Sequence, residues 1–288
     1  MIVARAPAST ANLGPGFDAA AAALDLWNHV EIEAGTFTVE LAGEGADELP
    51  HDATHLAVQA FALLTPPDGY RFRFTNAIPL ERGLGSSAAA IGTGLVAGAV
   101  AGGRAPPIEE LLALGARLES HIDNLAAVLH GGVCVAWHED GPRARRIADD
   151  VPAEAIAVVP AERTPTAASR TALPQTVPHA DAAATAGAAM LLGAALASGD
   201  AGLLRHAFRD RLHEPFRAAG APLFDRVKGL VPEALGVTLS GSGPTVIVWM
   251  VDAIDRDRVA SHLTAELGAT ATVLPVGVAR EGAAAQMH

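Results

Sequence analysis

The chain has 288 residues, half of them hydrophobic and 18% charged, a globular composition with length for one large or two medium cores. A formal net charge of −12 argues against a nucleic-acid or anionic-membrane partner, either of which needs a basic face, so any phosphate contacts must be local and few. The single cysteine, Cys134, excludes an internal disulfide and fits a reducing cytosol, and the single lysine, Lys228, lies far from any glycine-rich loop, which disfavours a Walker A loop and a pyridoxal-phosphate lysine alike.

Met1 leads into a strand-like run, Ile2-Val3-Ala4-Arg5-Ala6, without the basic region and apolar core of a secretory leader, so a cytoplasmic protein is expected. Residues 7–18 follow as a loop of turn formers carrying Thr10, Asn12 and Asp18, which either face a ligand or simply build a turn. Residues 27–34 and 37–41 alternate and are expected to pair as a hairpin. Residues 55–64 have helical spacing, and residues 70–75 alternate strictly as a half-buried strand.

That strand runs into Pro79-Leu80-Glu81-Arg82-Gly83-Leu84-Gly85-Ser86-Ser87-Ala88-Ala89-Ala90. Gly83 and Gly85 permit a tight turn and a close backbone approach, and Ser86 and Ser87 fall where an N-cap and first helical turn are expected. Free N–H groups at a helix start form an anion site, and phosphate is the natural guest. The plainer alternative is a glycine turn before a buried helix. Residues 83–103 carry no charge and are long enough to span a bilayer, but they are mostly Ala and Gly and begin in a loop, which favours a tightly packed soluble helix.

A helix over residues 109–120 ends at Glu119-Ser120-His121-Ile122-Asp123-Asn124, a dense polar group. Zinc spacing is absent, whereas Mg²⁺ needs only one carboxylate plus ligand phosphates, which Glu119 could supply. A polar helix-terminus cluster is the competing interpretation. A buried strand follows at 133–137, the pattern weakens over 141–150, and a second unit begins with the strand 155–159, which sets the domains at 1–150 and 151–288. Residues 164–174 are a polar loop or short helix, 181–198 an Ala-rich helix, and 235–239 and 244–250 two strands around Ser240-Gly241-Ser242-Gly243. A final helix and strand occupy 259–267 and 271–278. Arg170 and Arg217 could each clamp a carboxylate bidentately or be ordinary surface charges. Neither glycine-serine stretch is a nucleophile elbow or a dinucleotide fingerprint.

Residues 7–18, 79–90 and Ser240-Gly241-Ser242-Gly243-Pro244 together resemble the three ordered motifs of the GHMP kinase superfamily. Within it the chain resembles the homoserine kinase branch, through residues 11–18, His121-Ile122-Asp123-Asn124, Thr166 to Arg170, and Leu212-His213-Glu214-Pro215-Phe216-Arg217. It departs from the branch's usual residues at Ile122 and Ser169 and over residues 19–23.

The resemblance implies an α+β protein of the GHMP kinase fold. Its N-terminal α/β (ribosomal S5 domain 2-like) domain is joined to a C-terminal ferredoxin-like α+β domain, with the site in the cleft between them. It implies ATP-dependent phosphorylation of the hydroxyl of L-homoserine, a step of threonine biosynthesis, by a homodimer. Pro79, Leu80, Glu81, Arg82, Gly83, Leu84, Gly85, Ser86, Ser87, Ala88 and Ala89 would cradle ATP, and Ser87 and Glu119 would contact Mg²⁺. Asn12, Asp18, His121, Asp123, Asn124, Arg170 and Arg217 would form the amino-acid pocket, with Asp18 on the ammonium and the two arginines on the carboxylate. Asn124, Thr166 and Arg170 would lie at the transferring phosphoryl, with no general base assigned. Other small-alcohol kinases of the superfamily (threonine, mevalonate or shikimate type), or a silent binding protein on the same fold, are the alternatives.

Overall fold

The computed structural model describes residues 1–163 and 166–288, the side chains of 166–168 excepted. Its strands form two sheets. The first is seven-stranded, built from β1 (Ile2–Ala11), β2 (Ala20–Ala34), β3 (Thr38–Gly43), β4 (Tyr70–Asn76), β5 (Val133–His138), β6 (Pro142–Ala148) and the chain's last strand. Its helices are α1 (Leu56–Ala62), α2 (Ser86–Ala101), α3 (Ile108–Gly115) and α4 (Ile122–His130).

The second sheet is wholly antiparallel and four-stranded. It is made of β7 (Glu154–Pro160), β8 (Gly236–Leu239), β9 (Val246–Met250) and β10 (Ala271–Val276) in the order β10-β7-β9-β8. Between β7 and β8 lie α5 (Thr166–Thr171), α6 (His179–Ser198), α7 (Ala201–Ala207), α8 (Glu214–Arg217) and α9 (Leu223–Leu230), and α10 (Ala253–Leu267) joins β9 to β10. Helices between its first two and last two strands, in that spatial order, are the split βαβ arrangement of a ferredoxin-like unit. The final strand β11 (Ala284–Met287) returns to the first sheet and pairs with β1 through Ile2 to Arg5.

Three local expectations change. Residues 7–11 are strand rather than loop: β1 runs on to Ala11, with a register shift between Pro7 and Ala8 that accommodates the proline. The expected hairpin does not form, because β4 takes the place beside β2, setting Phe72 against Ile32 and Phe74 against Val30. β3 lies outside β4 and parallel to it, with α1 as the crossover that a parallel pair needs. The weak pattern at 141–150 hides β6, an edge strand alternating half-buried and exposed residues and carrying Arg143 and Arg145.

The uncharged run lies in the core. α2 is buried on nearly all sides, and its small residues let α1 approach so closely that a Cβ on Gly94 would sit 2.0 Å from the Ala57 carbonyl oxygen. That explains a helix without an amphipathic stripe. By length and composition α6 could cross a bilayer, with a mean hydropathy of 1.5; 28% of that stretch is buried, on the one face where Leu192, Ala195 and Leu196 pack against the main core. That core spans the first sheet and reaches Trp249 of the second, and a second cluster fills the space among β8, β9, α9 and α10.

Candidate active site

The phosphate-loop candidate joins β4 to α2 and is fixed from both sheets. Gly85 sits before the helix with φ 68°, where a Cβ would lie 1.9 Å from the Ser9 hydroxyl oxygen. Gly83, at φ 77°, passes so near the second sheet that its Cβ would be 2.2 Å from the Ser240 carbonyl oxygen. Both positions therefore require glycine. The expected serine cap is absent: Ser86 and Ser87 are already helical, the residue before them is glycine, and no side chain caps the helix. The first-turn N–H groups of α2 are thus left for a ligand.

The loop is bolted down from behind. The Ser240 hydroxyl donates to the Gly83 carbonyl at 2.6 Å, and the Ser9 amide donates to the Leu84 carbonyl at 3.0 Å. The Arg82 guanidinium donates to the Pro160 and Ala161 carbonyls, both at 2.8 Å. The loop's front lines a cavity of 510 Å³, whose wall includes Pro79, Leu80, Glu81, Arg82, Gly83, Leu84, Gly85, Ser86, Ser87 and Ala88. Ala89 lies behind this wall, fully buried, its amide bonded to the Gly85 carbonyl.

Glu119, on the same cavity, pairs with His121 Nδ1 at 2.8 Å and accepts from the Ser87 hydroxyl. Burial alone would raise the Glu119 pKa, but hydrogen bonds from His121 and Ser87 outweigh it and hold it below the usual value. The same bond to Glu119 raises the pKa of His121 against its own desolvation. Among the described residues no three metal-ligating side chains cluster. One carboxylate and one hydroxyl, both hard oxygen donors on a phosphate-sized cavity, nevertheless fit a Mg²⁺ that completes its shell with ligand phosphates and water.

The remaining charged side chains converge on the same cavity. Arg170 Nη2 bridges both oxygens of Asp18 at 3.0 Å. Arg217, 5% exposed, donates through Nη1 to the Gly241 carbonyl at 3.1 Å, while its Nε is buried without a partner. Arg217 nevertheless lines the cavity, so its guanidinium borders the space a carboxylate would enter. Asn12 is spent on structure: its Nδ2 donates to Gly241 at 2.9 Å and its Oδ1 accepts from the Asp18 amide at 3.0 Å, which orients the Asp18 loop. Asp123 is 4% exposed, and burial raises its pKa. Asn124 Oδ1 accepts from the Ser9 hydroxyl at 2.7 Å. The structure thus gathers Asn12, Asp18, Ser87, Glu119, His121, Asp123, Asn124, Arg170 and Arg217 around one cavity, while the Thr166 side chain lies outside the described residues.

Two contributors were not singled out in the sequence, and two act otherwise than expected. Ser9 ties the loop at Leu84 to Asn124, an Arg163–Glu48 ion pair lies on the cavity wall, and Ser240 and Arg82 fix the loop from behind rather than facing a ligand. Ser240 and Arg82 lie inside the glycine-serine stretches that carried a signal; Ser9, Glu48 and Arg163 are ordinary residue types in ordinary strings.

An uncapped glycine-loop helix thus faces a carboxylate-hydroxyl pair and is locked by a second glycine turn from the ferredoxin-like unit, an arrangement suited to holding a phosphate-bearing ligand. The model of the GHMP kinases N terminal domain matches residues 52–132. The chain is similar to the homoserine kinase of Streptomyces coelicolor, 39% identical over 300 residues and covering 96% of each chain. It is also similar to that of Streptomyces avermitilis, 41% identical over 270 residues covering 89% of this chain and 87% of the relative. The crystal structure of homoserine kinase from Cytophaga hutchinsonii superposes with a TM-score of 0.87 at 26% identity, over 99% of this chain and 97% of that one. The chain belongs to the homoserine kinase family of GHMP kinases.

Proposed function

We propose that the protein transfers the γ-phosphate of ATP to the side-chain hydroxyl of L-homoserine, giving O-phospho-L-homoserine and ADP. The observation that carries this reading is the arrangement of charge in the cavity. One half is uncapped backbone N–H suited to phosphate, and the other sets Asp18 against Arg170 and Arg217, the complement of an ammonium and a carboxylate.

Phosphoryl transfer asks a protein for positioning and charge stabilisation more than for covalent chemistry. In this reading the amides of the loop and first turn of α2 hold the phosphates. Asp18 receives the substrate ammonium while Arg170 and Arg217 hold its carboxylate, so the Asp18–Arg170 pair opens to admit a zwitterion between its members. His121, Asp123 and Asn124 bound the acceptor side, and Arg170 and Asn124 stand nearest in role to the transferring group. Glu119 and Ser87 would hold Mg²⁺, which when bound neutralises charge on the phosphate oxygens.

The division at residues 150/151, a homodimer and a cytoplasmic location complete the reading. The last fits the buried free Cys134, whose thiol burial pushes up to about 12 and so keeps unreactive. The test is ADP release from Mg·ATP across L-homoserine, L-threonine, mevalonate and shikimate. Homoserine-dependent release well above the others is expected, and no release with homoserine ends the assignment.

A further inference from the structure

His213 belongs to the stretch that carries Arg217, yet nothing above gives it a task. It is fully buried and does not line the cavity, so it cannot touch a substrate. It sits between the two segments bearing the proposed ammonium and carboxylate anchors. On one side its Nε2 lies 2.8 Å from the Gly14 carbonyl oxygen, in the loop that leads to Asp18. On the other its Nδ1 lies 3.3 Å from Arg217 Nη1. A carbonyl only accepts and a guanidinium only donates. The two contacts therefore fix one tautomer, with Nε2–H donating to Gly14 and the Nδ1 lone pair accepting from Arg217.

The surroundings enforce this state. The ring stacks on Phe17 at 5.0 Å, and Phe17 also lies beneath the Arg217 guanidinium at 5.2 Å. Asp210 is fully buried and accepts the amides of Leu212, His213 and Glu214, so it anchors the turn from which the imidazole projects. Burial depresses the His213 pKa and keeps the ring neutral, although Asp210 and Asp18 favour the charged form.

We propose that His213 is a positioning residue. It is a neutral strut that sets the spacing between the Asp18 loop and the Arg217 guanidinium, and thereby makes the site select an acceptor carrying a carboxylate beside its ammonium. Held on His213 and the Gly241 carbonyl, Arg217 Nη1 is not available to swing, and the guanidinium borders the cavity in one orientation. A guanidinium fixed before binding loses less rotamer freedom when a carboxylate arrives. The inference rests on the homoserine kinase reading.

The test compares full-length wild-type and variant enzymes with two acceptors, L-homoserine and 3-amino-1-propanol, which differ only by the carboxylate. ADP release gives kcat and KM for each. His213→Phe keeps the aromatic stack and loses both hydrogen bonds. Its KM for homoserine should rise about 10-fold or more, consistent with loss of a hydrogen bond to a charged group. Its kcat should stay within a few-fold, its KM for ATP should not move, and its kcat/KM for 3-amino-1-propanol, which depends on the Asp18 side of the strut alone, should fall clearly less than that for homoserine. Equal losses on both acceptors, or an unchanged homoserine KM, overturn the inference.

His213→Asn and His213→Gln keep the test decisive if the Phe variant does not fold. The shorter amide puts an acceptor near the Nδ1 position and the longer one puts a donor near Nε2. Asn should therefore preserve the preference for homoserine better than Gln, and the reverse order contradicts the strut. A wild-type enzyme that does not phosphorylate homoserine removes the reading beneath the inference. A wild type that does so, while the variants keep its acceptor preference, overturns the inference alone.

Discussion

The two halves of the cavity are built from different materials. The phosphate half is backbone: the loop glycines, the first turn of α2, and carbonyls clamped from behind by Ser9, Arg82 and Ser240. The amino-acid half is side chain: Asp18, Arg170 and Arg217, drawn from segments up to 199 residues apart, together with the Glu119–Asn124 cluster. A backbone site is specified by where a side chain is forbidden, and it tolerates little. A side-chain site is specified by charge and tolerates graded loss. The lesson is that damage to the first half should remove nucleotide binding and fold together, whereas damage to the second should weaken one substrate while leaving the other alone.

The largest effect is expected from Gly85→Ala. The position has φ 68°, and the added Cβ meets the Ser9 hydroxyl at 1.9 Å, so strain and clash coincide. Activity should fall by about 100-fold or more, with a stability loss of about 2 kcal/mol, read by ADP release and thermal unfolding. Normal nucleotide affinity in this variant would break the comparison, since the backbone half would then be tolerant too. Next comes Arg217→Ala. Removing a buried guanidinium that clamps a carboxylate should raise the KM for homoserine on the order of 100-fold and leave the KM for ATP unchanged. Arg170, 47% exposed, should show the same pattern with about a 10-fold change.

These contrasts match what could be read from the string. The phosphate half was legible because a backbone device is local: strand, Pro-x-x-x-Gly-Leu-Gly-Ser-Ser-Ala and helix lie together in about twenty residues. Even so, the serine at position 86 did not become the cap, because Gly85 takes the turn before the helix. The amino-acid half was legible only through resemblance. Nothing near Asp18 in sequence announces Arg170, 152 residues on, and their meeting depends on the packing of the two sheets. Ser9 gave no signal, and the partners of Arg82 and His213 did not show even though both residues stand in recognised stretches, for the same reason: those partners are distant in sequence. The misplaced hairpin of residues 27–41 has a similar origin. Alternation identifies strands, but the choice of neighbour fell to Phe72 and Phe74, thirty residues later.

A third prediction sits between the halves. Glu214, 3% exposed, accepts the Leu239 amide at 2.8 Å and so ties the Arg217 helix to the strand that leads into Ser240. Burial pushes its carboxyl up to about 8, against a usual value of 4.5. Between these limits the folded protein holds a proton that the unfolded chain has released. Its contribution is therefore fully present below about 4.5 and is lost as pH rises through about 8. Glu214→Gln keeps the acceptor oxygen and removes the titration. Its melting temperature should exceed wild type at about pH 8, with the gap closing at about pH 5. A constant gap would mean that Glu214 does not titrate in this window.

The smallest effect is expected from Arg73→Ala. This exposed residue pairs with Glu31 and Glu33 on the surface of the first sheet. Stability should change by no more than about 0.5 kcal/mol and both KM values should stay put, a baseline against which the site variants are judged.

The central claim is that backbone amides hold the phosphates while opposed side-chain charges hold a zwitterionic amino alcohol that receives one of them. Phosphorus NMR of a reaction containing Mg·ATP and L-homoserine tests it most directly, with 3-amino-1-propanol and mevalonate as parallel acceptors. The account predicts stoichiometric O-phospho-L-homoserine and ADP, with far slower product formation when the carboxylate or the ammonium is missing. Comparable phosphorylation of mevalonate, which carries no ammonium, would contradict it.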